Sequence, residues 1–175
     1  MQTNVKTATR RLTLAAVFMA MNIALSSFGL PVPGGHLYLN DVVICLASLL
    51  LGPFEAFAVG GIGAFLGDLF FYPTPMFVSL VTHGVQAIVI SLIAHKVLKE
   101  KPVAASILAV TVGAIIMIVG YTLGRAYIYA TPETALLKLP YQIIQAALGA
   151  VLGTVLYWTT GIKTWFDRYI AGESI

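Results

Sequence analysis

Long apolar stretches run the length of the chain and are interrupted at a few sharp points: Pro31 and Pro33, Gly52 and Pro53, Pro73 and Pro75, Lys99 to Pro102, and Thr131 with Pro132. Proline and clustered charge end helices. The pattern therefore predicts six helical segments, at residues 12–30, 39–51, 54–72, 76–94, 103–128 and 138–160. A second pattern lies over the first. Asp68, His83, Gln86, Arg125, Gln142 and Gln145 fall inside apolar segments, and each sits toward one end of its segment.

Composition sets the environment of these segments. The chain of 175 residues is 59% hydrophobic and 10% charged, with a mean hydropathy of +0.92, against about 25% charged residues in a soluble domain. It reads as an all-α integral membrane protein, one membrane domain over residues 1–175, folded as a six-transmembrane-helix bundle. Six short-looped helices use up the length and leave no room for a soluble nucleotide-binding domain. The pI of about 9.1 does not point to nucleic acid, because the basic residues sit at segment ends rather than in clusters with aromatics. Lys6, Arg10, Arg11, Lys96, Lys99, Lys101, Lys163 and Arg168 fall on one side of the predicted topology, leaving only Arg125 and Lys138 of the ten elsewhere. Basic residues favour the cytoplasmic side, so both termini and the 95–102 loop are placed inside a multi-pass protein of the cell membrane.

Two segments admit alternatives. The second has about 13 apolar residues where a spanning helix needs roughly 20, so it either crosses or forms a re-entrant hairpin with the third. The first also has the form of a signal peptide, with Arg10 and Arg11 as basic region and Ala24-Leu25-Ser26 as a small-residue cleavage site. The single Cys45 reads as a packing residue; it excludes an intrachain disulfide and a thiolate metal cluster.

Topology turns the polar positions into a shared depth. At about 1.5 Å per residue, Asp68 falls in the last outer turn of the third helix, and His83 and Gln86 lie about 10 to 15 Å below the outer end of the fourth. Tyr121 and Arg125 fall in the outer third of the fifth, and Tyr141, Gln142 and Gln145 near the outer end of the sixth. His83 with Gln86, Tyr121 with Arg125, and Tyr141 with Gln145 are three or four residues apart and share a face. A charge near the bilayer centre costs about 2.5 to 3.5 kcal/mol and usually faces a bundle interior. Asp68 and Arg125 are thus expected to point inward, toward each other. Each residue also has a plainer role: Arg125 reaching the headgroups, Asp68 at a wet helix end, His83 as a satisfied structural histidine, and the glutamines as interhelical hydrogen-bonding groups. Tyr38, Tyr72, Tyr127, Tyr129 and Tyr157 suit an interfacial belt.

The loop from Gly29 to Asp41 lies over this cluster. With Pro31 and Pro33 stiffening it and Gly34-Gly35 as a hinge, it reads as a lid that brings His36, Tyr38 and Asn40 to a ligand. The other reading is a connector in which Asn40 or Asp41 caps the second helix. Elsewhere, Ala16, Ala20 and Ala24 make a smooth stripe on the first helix, and Gly60, Gly63, Ala64 and Gly67 a similar face on the third. Such faces let helices approach closely, inside the bundle or against a separate membrane subunit.

Taken together, Ala16-x-x-x-Ala20-x-x-x-Ala24, Pro31-x-Pro-Gly-Gly-His-Leu-Tyr-Leu-Asn-Asp41, Leu49-Leu-Leu-Gly-Pro53 and Gly60-Gly-Ile-Gly-Ala-Phe-Leu-Gly-Asp68 resemble the substrate-binding S components of energy-coupling factor (ECF) vitamin transporters. The resemblance covers essentially the whole chain and is most specific over residues 31–68. It implies a subunit that captures a vitamin near the outer face with the first outer loop as gate. It further implies that the alanine stripe docks a transmembrane coupling subunit (T component), that two ATP-binding cassette ATPases supply energy, and that the subunit topples in the membrane to present its ligand inside. The chain itself has no Gly-x-x-x-x-Gly-Lys-[Ser/Thr] loop.

One acid, one guanidinium, one imidazole, amides and tyrosines suit a small aromatic heterocycle with hydroxyl and ring-nitrogen groups. The overall pattern most resembles the family members assigned to hydroxymethylpyrimidine and pyridoxine. Folate would need more positive charge and riboflavin a larger apolar slot, while pantothenate would put its carboxylate on Arg125. Two other classes stand beside this one. A proton-coupled secondary carrier would use Asp68, His83 and Arg125 as a relay but would show polar residues through both halves of the membrane. An intramembrane enzyme would need a motif such as His-Glu-x-x-His or Gly-x-Ser-x-Gly, which the sequence lacks; no catalytic residue, metal or cofactor is expected.

Overall fold

The computed structural model describes residues 2–171, and the side chains of residues 5–170. Helix α1 (Gln2–Ser26) leads into a short antiparallel hairpin of β1 (Leu30–Val32) and β2 (Gly35–Leu37). Five helices follow: α2 (Asn40–Leu50), α3 (Pro53–Phe71), α4 (Met76–Lys96), α5 (Pro102–Tyr129) and α6 (Pro132–Thr159). A short α7 (Ile162–Phe166) continues as a wide turn to Ala171. Among the described residues, five helices are long and apolar enough to cross a membrane, with α1 counted from Val5.

Helix α2 is the exception, and its burial explains why it can be short. Its 11 residues rise about 16 Å at 1.5 Å each, about half of a 30 Å hydrocarbon core. Ten of them, all but Val42, are buried, packed among α1, α4 and α6. A backbone that ends at mid-depth is tolerated where protein surrounds it. Helix α2 is thus an internal post. Its lower part joins two apolar clusters, one of Val43, Leu46, Ala47, Leu50 and Leu51 with Ala15, Phe18 and Phe166, the other of Cys45 and Leu49 with Ile90, Ala109 and Val110.

Glycines set how closely the helices approach. A Cβ on Gly153 of α6 would lie 2.8 Å from the Cβ of Cys45 and 3.2 Å from the Val42 carbonyl oxygen, and one on Gly149 would collide with Asp41. The small-residue face of α3 is buried inside the bundle: Gly63 and Gly67 lie against Asn22 and Ser26 of α1, and Gly60 against α4. At Ala58–Ile62 the helix widens into a π-turn. Such a turn disturbs the regular backbone ladder, and Asn22 Nδ2 donates to the Val59 carbonyl there at 2.7 Å. The alanine stripe of α1 behaves differently, because Ala16, Ala20 and Ala24 are all exposed.

Several boundaries differ from expectation, beginning with helix α1, which starts at Gln2 rather than residue 12. Helix α1 stops at Ser26 rather than Leu30, because residues 30–37 pair as strands. Helix α6 begins at Pro132 rather than 138, since Thr131 closes a capping box with Thr134 and proline suits the first turn. Neither Asn40 nor Asp41 caps α2: the cap position is Leu39, with no side-chain bond.

The α2–α6 contact yields a test. Gly153→Val should lower stability by about 1–3 kcal/mol through overpacking, while Leu152→Val on the exposed face should change it little. Thermal unfolding in detergent checks this, and equal melting temperatures would remove the close contact from the fold.

Candidate functional site

The hairpin closes one end of the bundle. Pro33-Gly34 turns the chain, with proline first and a left-handed glycine second (φ 79°), the order a type II turn demands. Pro31 faces His36 and Val32 faces Gly35 across the pair. Beneath the turn lies a cavity lined from every side: Ser26 of α1, Gly35, His36, Tyr38 and Asn40 of the hairpin and its exit, Asp68 of α3 with Tyr72 just past it, Pro75, His83 of α4, Tyr121, Arg125 and Tyr129 of α5, and Lys138, Gln142 and Gln145 of α6. Its volume is about 30 Å³, room for roughly two waters. A six-membered ring enters only when the hairpin and the rim side chains shift.

The floor is organised by a residue assigned in sequence only to helix capping. Asp41, 1% exposed, stands in the first turn of α2, where the helix dipole favours a negative charge. Its Oδ1 accepts from Gln86 Nε2 at 3.2 Å and its Oδ2 from Gln145 Nε2 at 2.8 Å. Both amides are thereby oriented. Gln145 Oε1 then accepts the Tyr38 backbone N–H at 3.1 Å, and Gln86 Oε1 meets His83 Nδ1 at 2.6 Å. An amide oxygen only accepts, so His83 carries a proton on Nδ1, and in that tautomer Nε2 is the nitrogen free to accept.

One wall is a second relay. Tyr121 donates to Ser79 Oγ at 2.5 Å, and Ser79 donates to Asp68 Oδ2. The Tyr121 ring meets His83 edge-on at 5.1 Å. The roof is cationic: Arg125 Nη1 donates to the Gly34 carbonyl and Lys138 Nζ to the His36 carbonyl, both at 2.6 Å, and the guanidinium lies 5.2 Å from the Tyr129 ring centroid. Outside the spans, burial together with the Asp68 carboxylate pushes the Tyr38 hydroxyl up to about 12, so it stays a neutral donor at ordinary pH.

Three lining residues carry a buried polar atom without a hydrogen-bond partner: His36 Nδ1, Asn40 Oδ1 and the Tyr129 hydroxyl. Each such atom costs about 1–3 kcal/mol. All three residues line the one cavity, where water or a ligand can supply the missing partners.

Of the sequence candidates, His36, Tyr38, Asn40, Asp68, His83, Tyr121, Arg125, Gln142 and Gln145 line the cavity. Gln86 stands one layer behind, holding His83. Tyr141 does not line it. The inward stripe of α6 runs through Lys138, Gln142, Gln145 and Gly149, all buried, and Tyr141 lies to one side of it. Arg125 and Asp68 both face inward, but no ion pair within 4.0 Å joins them; among the described residues the site's one acid–base contact of that kind is His83 Nδ1 with Asp41 Oδ1 at 3.8 Å. Tyr72 and Tyr129, assigned to the interfacial belt, line the cavity, while Tyr127 is 77% exposed. Ser26, Ser79, Asp41 and Lys138 are additions. Lys138 was readable from its spacing to Gln142 and Gln145, and Thr131-Pro132 marked the helix start that makes the spacing count.

A buried polar cavity, covered at one end of an apolar helical bundle, is the architecture expected of a membrane-embedded solute-binding subunit. The family model of the ECF-type riboflavin transporter, S component, matches residues 6–162. The chain belongs to the S components of ECF-type transporters, and it is a multi-pass protein of the cell membrane, from a transporter family rather than an enzyme class. It is 33% identical over 152 residues to the thiamine precursor transporter HmpT of Lactococcus lactis subsp. cremoris (strain MG1363), covering 84% of this chain and 85% of that protein. It is also 29% identical over 126 residues to an uncharacterized protein in a gap 3' region of Pyrococcus woesei, covering 71% of this chain and 82% of that one.

Asp41 gives the direct test of this geometry. Asp41→Asn replaces an acceptor facing two amide donors with a group that is half donor. Ligand affinity should fall at least about tenfold, the equivalent of one lost charge-assisted bond, while Tyr141→Phe should leave it unchanged. Titration calorimetry of purified variants measures both, and the reverse ranking would dismantle the site as described.

Proposed function

We propose that this chain captures a small heterocyclic vitamin or vitamin precursor, hydroxymethylpyrimidine or pyridoxine, at the outer face for ATP-driven uptake by partner subunits. The observation that carries the reading is the cavity's hydrogen-bonding map. Asp68, with one oxygen held by Ser79, and the His83 Nε2 acceptor ask for N–H or O–H donors. Arg125 and Lys138 on the opposite side ask for an acceptor oxygen. An aminopyrimidine edge with a hydroxymethyl group, or a hydroxypyridine, offers both. The similarity to a thiamine precursor transporter supports this choice; the family model's riboflavin name supplies the competing ligand, whose three fused rings would need a larger displacement of the hairpin than a single ring does.

The topology follows from charge. Eight of the ten Lys and Arg residues lie at the bundle end away from the hairpin, an asymmetry that supports cytoplasmic termini and an outward-facing hairpin. Six helices then traverse or enter the bilayer, with α2 as the internal half-helix. Energy comes from outside the chain: the exposed stripe of Ala16, Ala20 and Ala24 docks a transmembrane coupling subunit, which works with two ATP-binding cassette ATPases. A proton-coupled carrier fits less well. Beneath the cavity the bundle is packed with Ile44, Cys45, Leu49 and Ile90, and the Ser48 and Ser91 hydroxyls are spent on the Ile44 and Leu51 carbonyls.

Purified protein should bind hydroxymethylpyrimidine or pyridoxine tightly without ATP and riboflavin at least about a hundredfold more weakly; tighter binding of riboflavin would reverse the assignment. Ala20→Trp should abolish cellular uptake with ligand affinity intact, whereas parallel loss of both would make the stripe a packing surface of this bundle.

A further inference from the structure

The two cations of the roof are under-used. Arg125 is 9% exposed and Lys138 2% exposed, and no carboxylate among the described residues lies within 4.0 Å of either. Each gives one recorded hydrogen bond, to carbonyls two residues apart on the same hairpin, although guanidinium and ammonium groups carry several donors. Both line the cavity, beside the unpartnered Tyr129 hydroxyl and His36 Nδ1. The Gly34-Gly35 turn rests directly on them: a Cβ at Gly35 would lie 3.4 Å from both terminal nitrogens of Arg125, and one at Gly34 3.0 Å from the Lys138 Cβ. Buried positive charge without a counter-ion is unfavourable unless a partner arrives.

We propose that Arg125 and Lys138 form an oxyanion subsite, taking a phosphate monoester or carboxylate on the ligand, and that filling it locks the hairpin shut. The inference rests on the proposed heterocycle reading and narrows it: the preferred form of the substrate is the one carrying an ionised oxygen. An oxyanion between the two groups takes their spare donors, bidentately from the planar fork of Arg125, while their existing bonds keep Gly34 and His36 in place. The same two side chains therefore read the ligand and hold the lid. Neutralising the pair also removes the repulsion between two neighbouring cations, so the closed hairpin gains from occupancy twice.

The experiment compares hydroxymethylpyrimidine with its monophosphate on full-length protein in detergent, with inorganic phosphate and acetate as probes that need no heterocycle. Hydrogen exchange over residues 30–38 reports the lid. The monophosphate should bind at least about tenfold more tightly than the alcohol, as expected for charge-assisted bonds. Phosphate or acetate alone should slow exchange in the lid, and which of them does so names the oxyanion. Lys138→Gln should erase the preference and the slowing together, and Arg125→Lys, which keeps the charge, should restore part of what Arg125→Gln loses. Equal binding of alcohol and ester, or equal loss of both in Lys138→Gln, overturns the subsite. Failure of both pyrimidines with lid protection by phosphate intact would sink the pyrimidine reading instead, and absence of lid protection by either anion would sink the subsite.

Discussion

The site depends on one buried carboxylate. Asp41 sits where α2 begins inside the bundle, and its two oxygens take one amide each from α4 and α6. That single group fixes Gln86, which sets the tautomer of His83, and Gln145, which anchors the hairpin exit at Tyr38. A buried charge is tolerable only when its lone pairs are met. Here the helix N-terminus and the two amides meet them, and they position four elements in doing so.

The same economy explains the shape of the fold. Because α2 is short and enclosed, its N-terminus lies in the protein interior rather than at the membrane surface, and the cavity forms above it. The glycines of α6 and α3 bring the surrounding helices close enough for short polar side chains to meet. Below, the bundle is packed mainly with apolar side chains; above, the hairpin is held by two cations. On the proposed reading, a ligand is captured at the hairpin end, and its release calls for movement of the hairpin or of the whole subunit.

Most of this was legible in the chain, for identifiable reasons. Hydropathy and proline breaks gave the helices, and helical spacing gave His83 with Gln86 and Gln142 with Gln145, because those pairs obey a local period. What spacing does not encode is which face of a helix turns inward when several are equally polar. Tyr141 was placed by its spacing to Gln145, yet the inward stripe follows Lys138 and Gln142. Asp41 was hidden because Asp near a helix start has a common local use in capping, and only tertiary packing shows Gln86 and Gln145 arriving from 45 and 104 residues away. The hairpin was read as a hinged loop, since three-residue strands carry no usable periodicity. Lys138 was lost to a helix boundary drawn six residues late.

The most direct measurement is mass spectrometry of the small molecule released from protein purified out of its native membrane. The proposed function predicts a single aromatic heterocycle with a donor edge and an acceptor or ionised oxygen, at close to one per chain. Recovery of an inorganic ion, a lipid or an apolar solute as the stoichiometric occupant would contradict it.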